Sequence, residues 1–154
     1  MFREIIRILA KQFDAPRFEP HLTLLAARQD RQPPAKLLRT IKASPIRLKI
    51  GGVASSPKFT KTLFVRFMPN KSLDDLVVDL ARVTRSRAKS VHDLHVSLLY
   101  KKMSTSTKRE LAATIKLPIR EVVFDSLKAV RCILPTKTRR DVEAWRVVAT
   151  RSLR

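Results

Sequence analysis

Residues 93–100 read DLHVSLLY, and residues 18–25 read FEPHLTLL. In each stretch a histidine stands two places before a hydroxyl residue in an apolar run: His21 before Thr23, His95 before Ser97. Short apolar runs of this length predict strands, His21 to Ala26 and His95 to Tyr100. Residues i and i+2 of a strand share a face, so each run presents an imidazole and a hydroxyl side by side. One such pair carries little information, because a satisfied, half-buried histidine is commoner than a functional one. Two pairs on matching strands reverse that preference.

Working outward, the elements around each pair follow the same order. Phe2, Ile5, Ile6, Leu9 and Phe13 fall on one helical face, which predicts an amphipathic helix over 2–14 that Pro16 and Pro20 close. After the first pair, Pro33 and Pro34 open a second helix to about Ala43. IRLKIGGVA is a half-buried strand with a bulge or bend at Gly51-Gly52, and KTLFVRFM is the next strand. Ser72 is the expected cap of a helix to about Arg85, with Asp74 and Asp75 in its first turn. After the second pair come a helix from Ser104 to Ile115, a long strand over 119–132 and a C-terminal strand over 140–150. His21 and His95 lie 74 residues apart, close to half of the 154-residue chain. This order predicts an α+β fold: one bilobal domain over 1–154 built from a duplicated α/β unit, with pseudo-repeats of about 1–58 and 59–135.

The composition bounds the function. With 44% hydrophobic residues the chain is able to bury a core. No apolar run approaches a membrane span, and MFREIIRILAKQF lacks the uninterrupted apolar region and cleavage site of a secretory signal. Cys132 stands alone, so an internal disulfide and a multi-cysteine zinc site are both excluded, and a cytoplasmic location is the expectation. Only two glycines exist, side by side, which excludes a P-loop and a dinucleotide-binding turn. No serine sits in a nucleophile-elbow pattern. The net charge is +20, and residues 31–73 contain ten Lys or Arg and no acid. A field of that sign concentrates phosphate-bearing partners, from nucleotides to RNA, without choosing among them.

Two imidazoles facing each other across one cleft suit in-line attack on a phosphodiester. One neutral histidine takes a proton from water while the other, protonated, gives one to the departing ribose oxygen. Hydroxyls from Thr23 and Ser97 stabilise the non-bridging oxygens, and no metal or other cofactor is required. A cyclic phosphate is the natural substrate. His92 belongs to neither pair and receives no role.

In PHLTLL and HVSLLY the chain resembles the two-histidine (2H) phosphoesterase superfamily, and within it the cyclic phosphodiesterase branch, over nearly its whole length. The resemblance implies two antiparallel sheets lining a central cleft, with helices outside. It also implies metal-independent opening of ADP-ribose 1″,2″-cyclic phosphate or of nucleoside 2′,3′-cyclic phosphates. His21 and His95 match the family's catalytic positions, and Thr23 and Ser97 match its phosphate-holding hydroxyls. Tyr100 matches an aromatic hydroxyl near the substrate, although strict alternation would turn it from the His95 face unless the strand bends. Members of the family begin with a strand ahead of the first helix, whereas this sequence opens within that helix. The expected partners are therefore a nucleotide cyclic phosphate and, as a variant, RNA ends carrying a 2′,3′-cyclic phosphate, with no membrane. The other class is a non-catalytic basic RNA-binding module, against which stands an aromatic content of only 6%.

Overall fold

The computed structural model describes residues 1–27, 32–86 and 93–153; His92 lies outside the described residues. In chain order the elements are α1 (Phe2–Gln12), α2 (Pro34–Thr40), β1 (Ile46–Ser55), β2 (Leu63–Phe67), α3 (Lys71–Val83), β3 (His95–Leu99), α4 (Thr105–Thr114), β4 (Glu121–Phe124), β5 (Ser126–Arg131), α5 (Arg139–Glu143) and β6 (Arg146–Ser152). A short 3-10 turn, Phe59–Lys61, leads into β2. The fold is α+β, with a four-stranded antiparallel sheet ordered β3-β2-β1-β4 and a two-stranded antiparallel sheet of β5 and β6.

The helices form where apolar spacing and capping chemistry coincide. α1 buries Phe2, Ile6, Leu9 and Ala10 on one face and ends before Asp14, whose φ of 46° turns the chain back. α4 is capped by Ser104, whose hydroxyl accepts from the Thr107 amide at 3.1 Å. α3 departs from expectation. Its cap is Asn70, extended and accepting from the Leu73 amide at 3.0 Å, so Ser72 lies inside the first turn. Asparagine caps as well as serine does, and the earlier of the two sets the boundary.

Three strand boundaries also differ from the sequence reading. The expected strand over 119–132 is two strands: β4 pairs with β1, and β5 pairs with β6. The switch falls at Asp125, whose carbonyl accepts from the Leu153 amide at 2.7 Å. The expected strand over 140–150 begins with helix α5, because Thr138 and Asp141 form a reciprocal capping box ahead of the β-branched run. His21 to Ala26 makes a single antiparallel bridge, Leu22 to Val96, in place of a full ladder. The bend expected at Gly51-Gly52 is present as a register shift that leaves Gly51 unpaired, with Gly52 at φ +120°.

Two cores hold these layers together. α1 and α4 cover one face of the larger sheet, packing Phe2, Ile6 and Leu9 against Leu63, Val65, Val96 and Leu98. α2 and α3 build the second around Leu38, Ile41, Ile46, Leu48, Leu73 and Leu76, with Leu127 and Leu153 from the smaller sheet. Each core draws on both halves of the chain, so neither half buries its apolar face alone. Leu22, Phe67 and Phe124 pack against both clusters. Leu22, the residue between His21 and Thr23, is thus a fixed point of the fold.

Candidate functional site

The site follows from the strand register. On β3, Val96 and Leu98 point into the first core, which leaves His95 and Ser97 on the opposite face. Leu22 pairs antiparallel with Val96. Continuing that pairing by one residue each way sets His21 opposite Ser97 and Thr23 opposite His95. A register extended from that one bridge would put the four motif side chains on one face, with the histidines on a diagonal. Diagonal neighbours in an antiparallel pair stand about 7–8 Å apart, a separation that lets two imidazoles flank one phosphate.

The two histidines are held alike. His21 Nδ1 lies 2.6 Å from the Glu19 carbonyl oxygen, and His95 Nδ1 lies 2.7 Å from the Asp93 carbonyl oxygen, each two residues back. A carbonyl only accepts, so both Nδ1 atoms carry the proton and donate. Nε2 is then the nitrogen that exchanges protons in each ring. Burial depresses the His21 pKa below the ordinary histidine value, opposed by the Glu19 carbonyl. Burial also depresses that of His95; the Asp93 carbonyl opposes it, and the charges of Lys61 and His21 reinforce it. The charge of His21 acts on His95, which agrees with the two rings lying near each other.

The hydroxyls are less alike. Thr23 is exposed. Ser97 is only 4% exposed and donates through Oγ to the Thr60 carbonyl at 2.8 Å, so it must rotate to donate elsewhere. Tyr100 does reach this side. The ladder stops at Leu99, and Thr62 clamps the next turn by donating to the Lys101 carbonyl at 2.8 Å and accepting from the Lys101 amide at 3.2 Å. The Tyr100 ring stacks on Phe18 with centroids 4.0 Å apart, and Trp145 meets it edge-on at 5.9 Å. Burial pushes the Tyr100 phenol up to about 12, so it stays protonated and acts only as a neutral hydroxyl.

Sequence reasoning missed three parts of this environment. Trp145, at the entry to β6, packs edge-on against His21 with ring centroids 5.5 Å apart, and its Nε1 is buried without a hydrogen-bond partner among the described residues. The smaller sheet thus places an indole over the first motif. Phe18 meets the His21 ring edge-on at 6.1 Å. The 3-10 turn Phe59–Lys61 supports the second motif: Phe59 lies 6.0 Å from the Tyr100 ring, the Thr60 carbonyl receives the Ser97 hydroxyl, and Lys61 lies close enough to His95 to influence its titration. Lys61 was readable only as the start of a strand. A 3-10 turn leaves no periodicity to mark which way its side chain points.

Two concavities lie away from the motif residues. One of about 1080 Å³ runs along the β1 bulge, between Ile50, Gly52, Met68 and Ile115. Another of about 400 Å³ lies between the end of α1 and α5 and is lined by Lys11, Arg17 and Arg139. Neither is lined by a motif residue. Among the described residues, no group of three or more His, Cys, Asp or Glu side chains is placed to hold a metal ion. Also among them, no helix is long and apolar enough to cross a membrane.

No protein-family model matches this chain, and no curated protein matches it at a significant level.

Proposed function

We propose that this protein is a cyclic phosphodiesterase related to the two-histidine phosphoesterases. In this reading His21 and His95 open a nucleotide cyclic phosphate, either ADP-ribose 1″,2″-cyclic phosphate or a nucleoside 2′,3′-cyclic phosphate. The supporting observation is the identical way the two rings are held, each Nδ1 donating to the carbonyl two residues earlier so that both leave Nε2 for proton transfer. A histidine retained only for packing has no need of that repetition on two unlike segments.

The reaction balances with no external acid or base. One Nε2 accepts a proton from water as its oxygen attacks phosphorus, and the opposite P–O bond breaks. The departing ribose oxygen takes the proton carried by the other Nε2, which gives a phosphomonoester and a free hydroxyl. Each transfer contributes roughly a hundredfold to ten-thousandfold. Thr23, Ser97 and Tyr100 are the hydroxyls we assign to the phosphate oxygens. We place the reaction in the reducing environment of the cytoplasm, on the strength of Cys132 standing alone and exposed.

The +20 charge favours a second form of this reading, in which the cyclic phosphate terminates an RNA. Phosphorus NMR of purified protein with each candidate cyclic phosphate, mono- and oligonucleotide, tests both. Appearance of a monoester resonance supports hydrolysis, and the preferred chain length chooses the form. Salt-sensitive RNA binding without any monoester would replace both forms with the binding module.

A further inference from the structure

Lys61 is an unusual lysine. Its side chain is only 13% exposed, it forms an ion pair with the Asp93 carboxylate, and its Nζ lies 4.4 Å from the centroid of the Phe64 ring. Phe64 pairs with Ser97 across β2 and β3 and so stands on the motif face, where its ring meets His95 edge-on at 5.2 Å. The ammonium is thus a fixed cation beside the second histidine, held in place from two sides. Its partner differs: the Asp93 side chain is 67% exposed and lies near Lys58 as well. A buried cation with an exposed counter-ion is able to exchange that counter-ion without refolding. The Asp93 backbone carbonyl, which holds His95 Nδ1, takes no part in the exchange.

We propose that Lys61 is the phosphate-binding cation of this site, and that the Asp93 carboxylate occupies it as an internal anion until a substrate phosphate displaces it. The proposal rests on reading the paired histidines as a phosphate-processing site. A tetrahedral phosphate beside His95 Nε2 offers the ammonium several acceptor oxygens in place of one carboxylate. Ring and cation stay where they are; only the carboxylate leaves.

The two partners of the ion pair separate this role from a structural one. Dissociation constants for inorganic phosphate are measured by NMR titration of the histidine ring resonances at fixed ionic strength. Wild type, Lys61→Met, Lys61→Arg and Asp93→Asn are compared. Loss of one charge-assisted hydrogen bond weakens binding roughly 10- to 100-fold in Lys61→Met, while Lys61→Arg retains most of the affinity. Asp93→Asn removes the competitor and keeps the backbone carbonyl, so phosphate binds more tightly than in wild type. Equal weakening in Lys61→Met and Asp93→Asn would mean that the pair only braces the fold, and would overturn the proposal. So would unchanged affinity in Lys61→Met, or no tightening in Asp93→Asn. Phosphate binding needs no turnover, so a protein that binds phosphate in this pattern yet hydrolyses nothing refutes the enzymatic reading alone. An active enzyme whose Lys61→Met variant keeps full phosphate affinity refutes the present proposal alone.

Discussion

Thr62→Val isolates the hydroxyl that joins the 3-10 turn to the end of β3. Thr62 is 2% exposed; its Oγ1 donates to the carbonyls of Lys101 at 2.8 Å and Phe59 at 2.9 Å, and accepts from the Lys101 amide at 3.2 Å. Valine keeps the shape and the methyl group, so no cavity forms. The loss is one shared donor and one acceptor, each worth about 1 kcal/mol, together with the cost of a Lys101 amide left without its partner, about 1–3 kcal/mol. We expect Thr62→Val to destabilise the protein by about 3–5 kcal/mol, a large share of the roughly 5–15 kcal/mol that holds a domain together. Thr62→Ser keeps the hydroxyl and gives up one buried methyl, about 1 kcal/mol. Urea titrations read both as a shift in midpoint at constant slope. The same hydroxyl sets the turn that carries Phe59, Thr60 and Lys61. Turnover by folded Thr62→Val should therefore fall by roughly tenfold to a hundredfold, as small displacements of positioned groups do. A Thr62→Val variant as stable as Thr62→Ser would refute the reasoning, because the hydroxyl would then contribute nothing that valine lacks.

Three further outcomes follow from particular residues. Both histidines are depressed below the ordinary value, so the unfolded chain binds more protons than the folded one as pH falls through about 6.5. Stability is then fully present above that pH and declines below it; urea midpoints at pH 7.5, 6.5 and 5.5 should fall in wild type and fall less in His21→Asn/His95→Asn, and equal slopes would contradict this. Hydrolysis needs one ring protonated and the other neutral, so with both values lowered the pH–rate maximum should lie on the acid side of 6.5; a maximum above pH 8 would exclude this pair as acid and base. Gly52 sits at φ +120°, where an L side chain is strained, while a Cβ on Gly51 would meet its nearest atom at an ordinary 3.5 Å; circular-dichroism melts should show Gly52→Ala costing about 1–3 kcal/mol and Gly51→Ala much less, and equal costs would refute the assignment.

The parts of the fold legible in the sequence are those fixed by local spacing. α1 was readable because Phe2, Ile6 and Leu9 recur at helical intervals, and the β1 bend because two adjacent glycines interrupt an alternating strand. The β4–β5 break was not readable, since residues 119–132 carry no glycine or proline to mark a break and the change of partner at Asp125 depends on which strand lies alongside. The α5 capping box was visible in Thr138 and Asp141, but the β-branched run behind it argued for strand. At the candidate site the four motif residues were legible because i, i+2 spacing is a strand property, and the bridge from Leu22 to Val96 brings the two copies together. Trp145 and Lys61 were not, because both reach the histidines through tertiary packing that no local pattern encodes.

The most direct test of paired-histidine hydrolysis is turnover of ADP-ribose 1″,2″-cyclic phosphate and the four nucleoside 2′,3′-cyclic phosphates in EDTA. Wild type is compared with His21→Ala, His95→Ala and the double variant. We expect activity that survives chelation, falls by about a hundredfold to ten-thousandfold in each single variant, and falls little further in the double variant, because the two transfers act as one unit. Activity that vanishes with chelation, or that persists in either single variant of a folded protein, would contradict it.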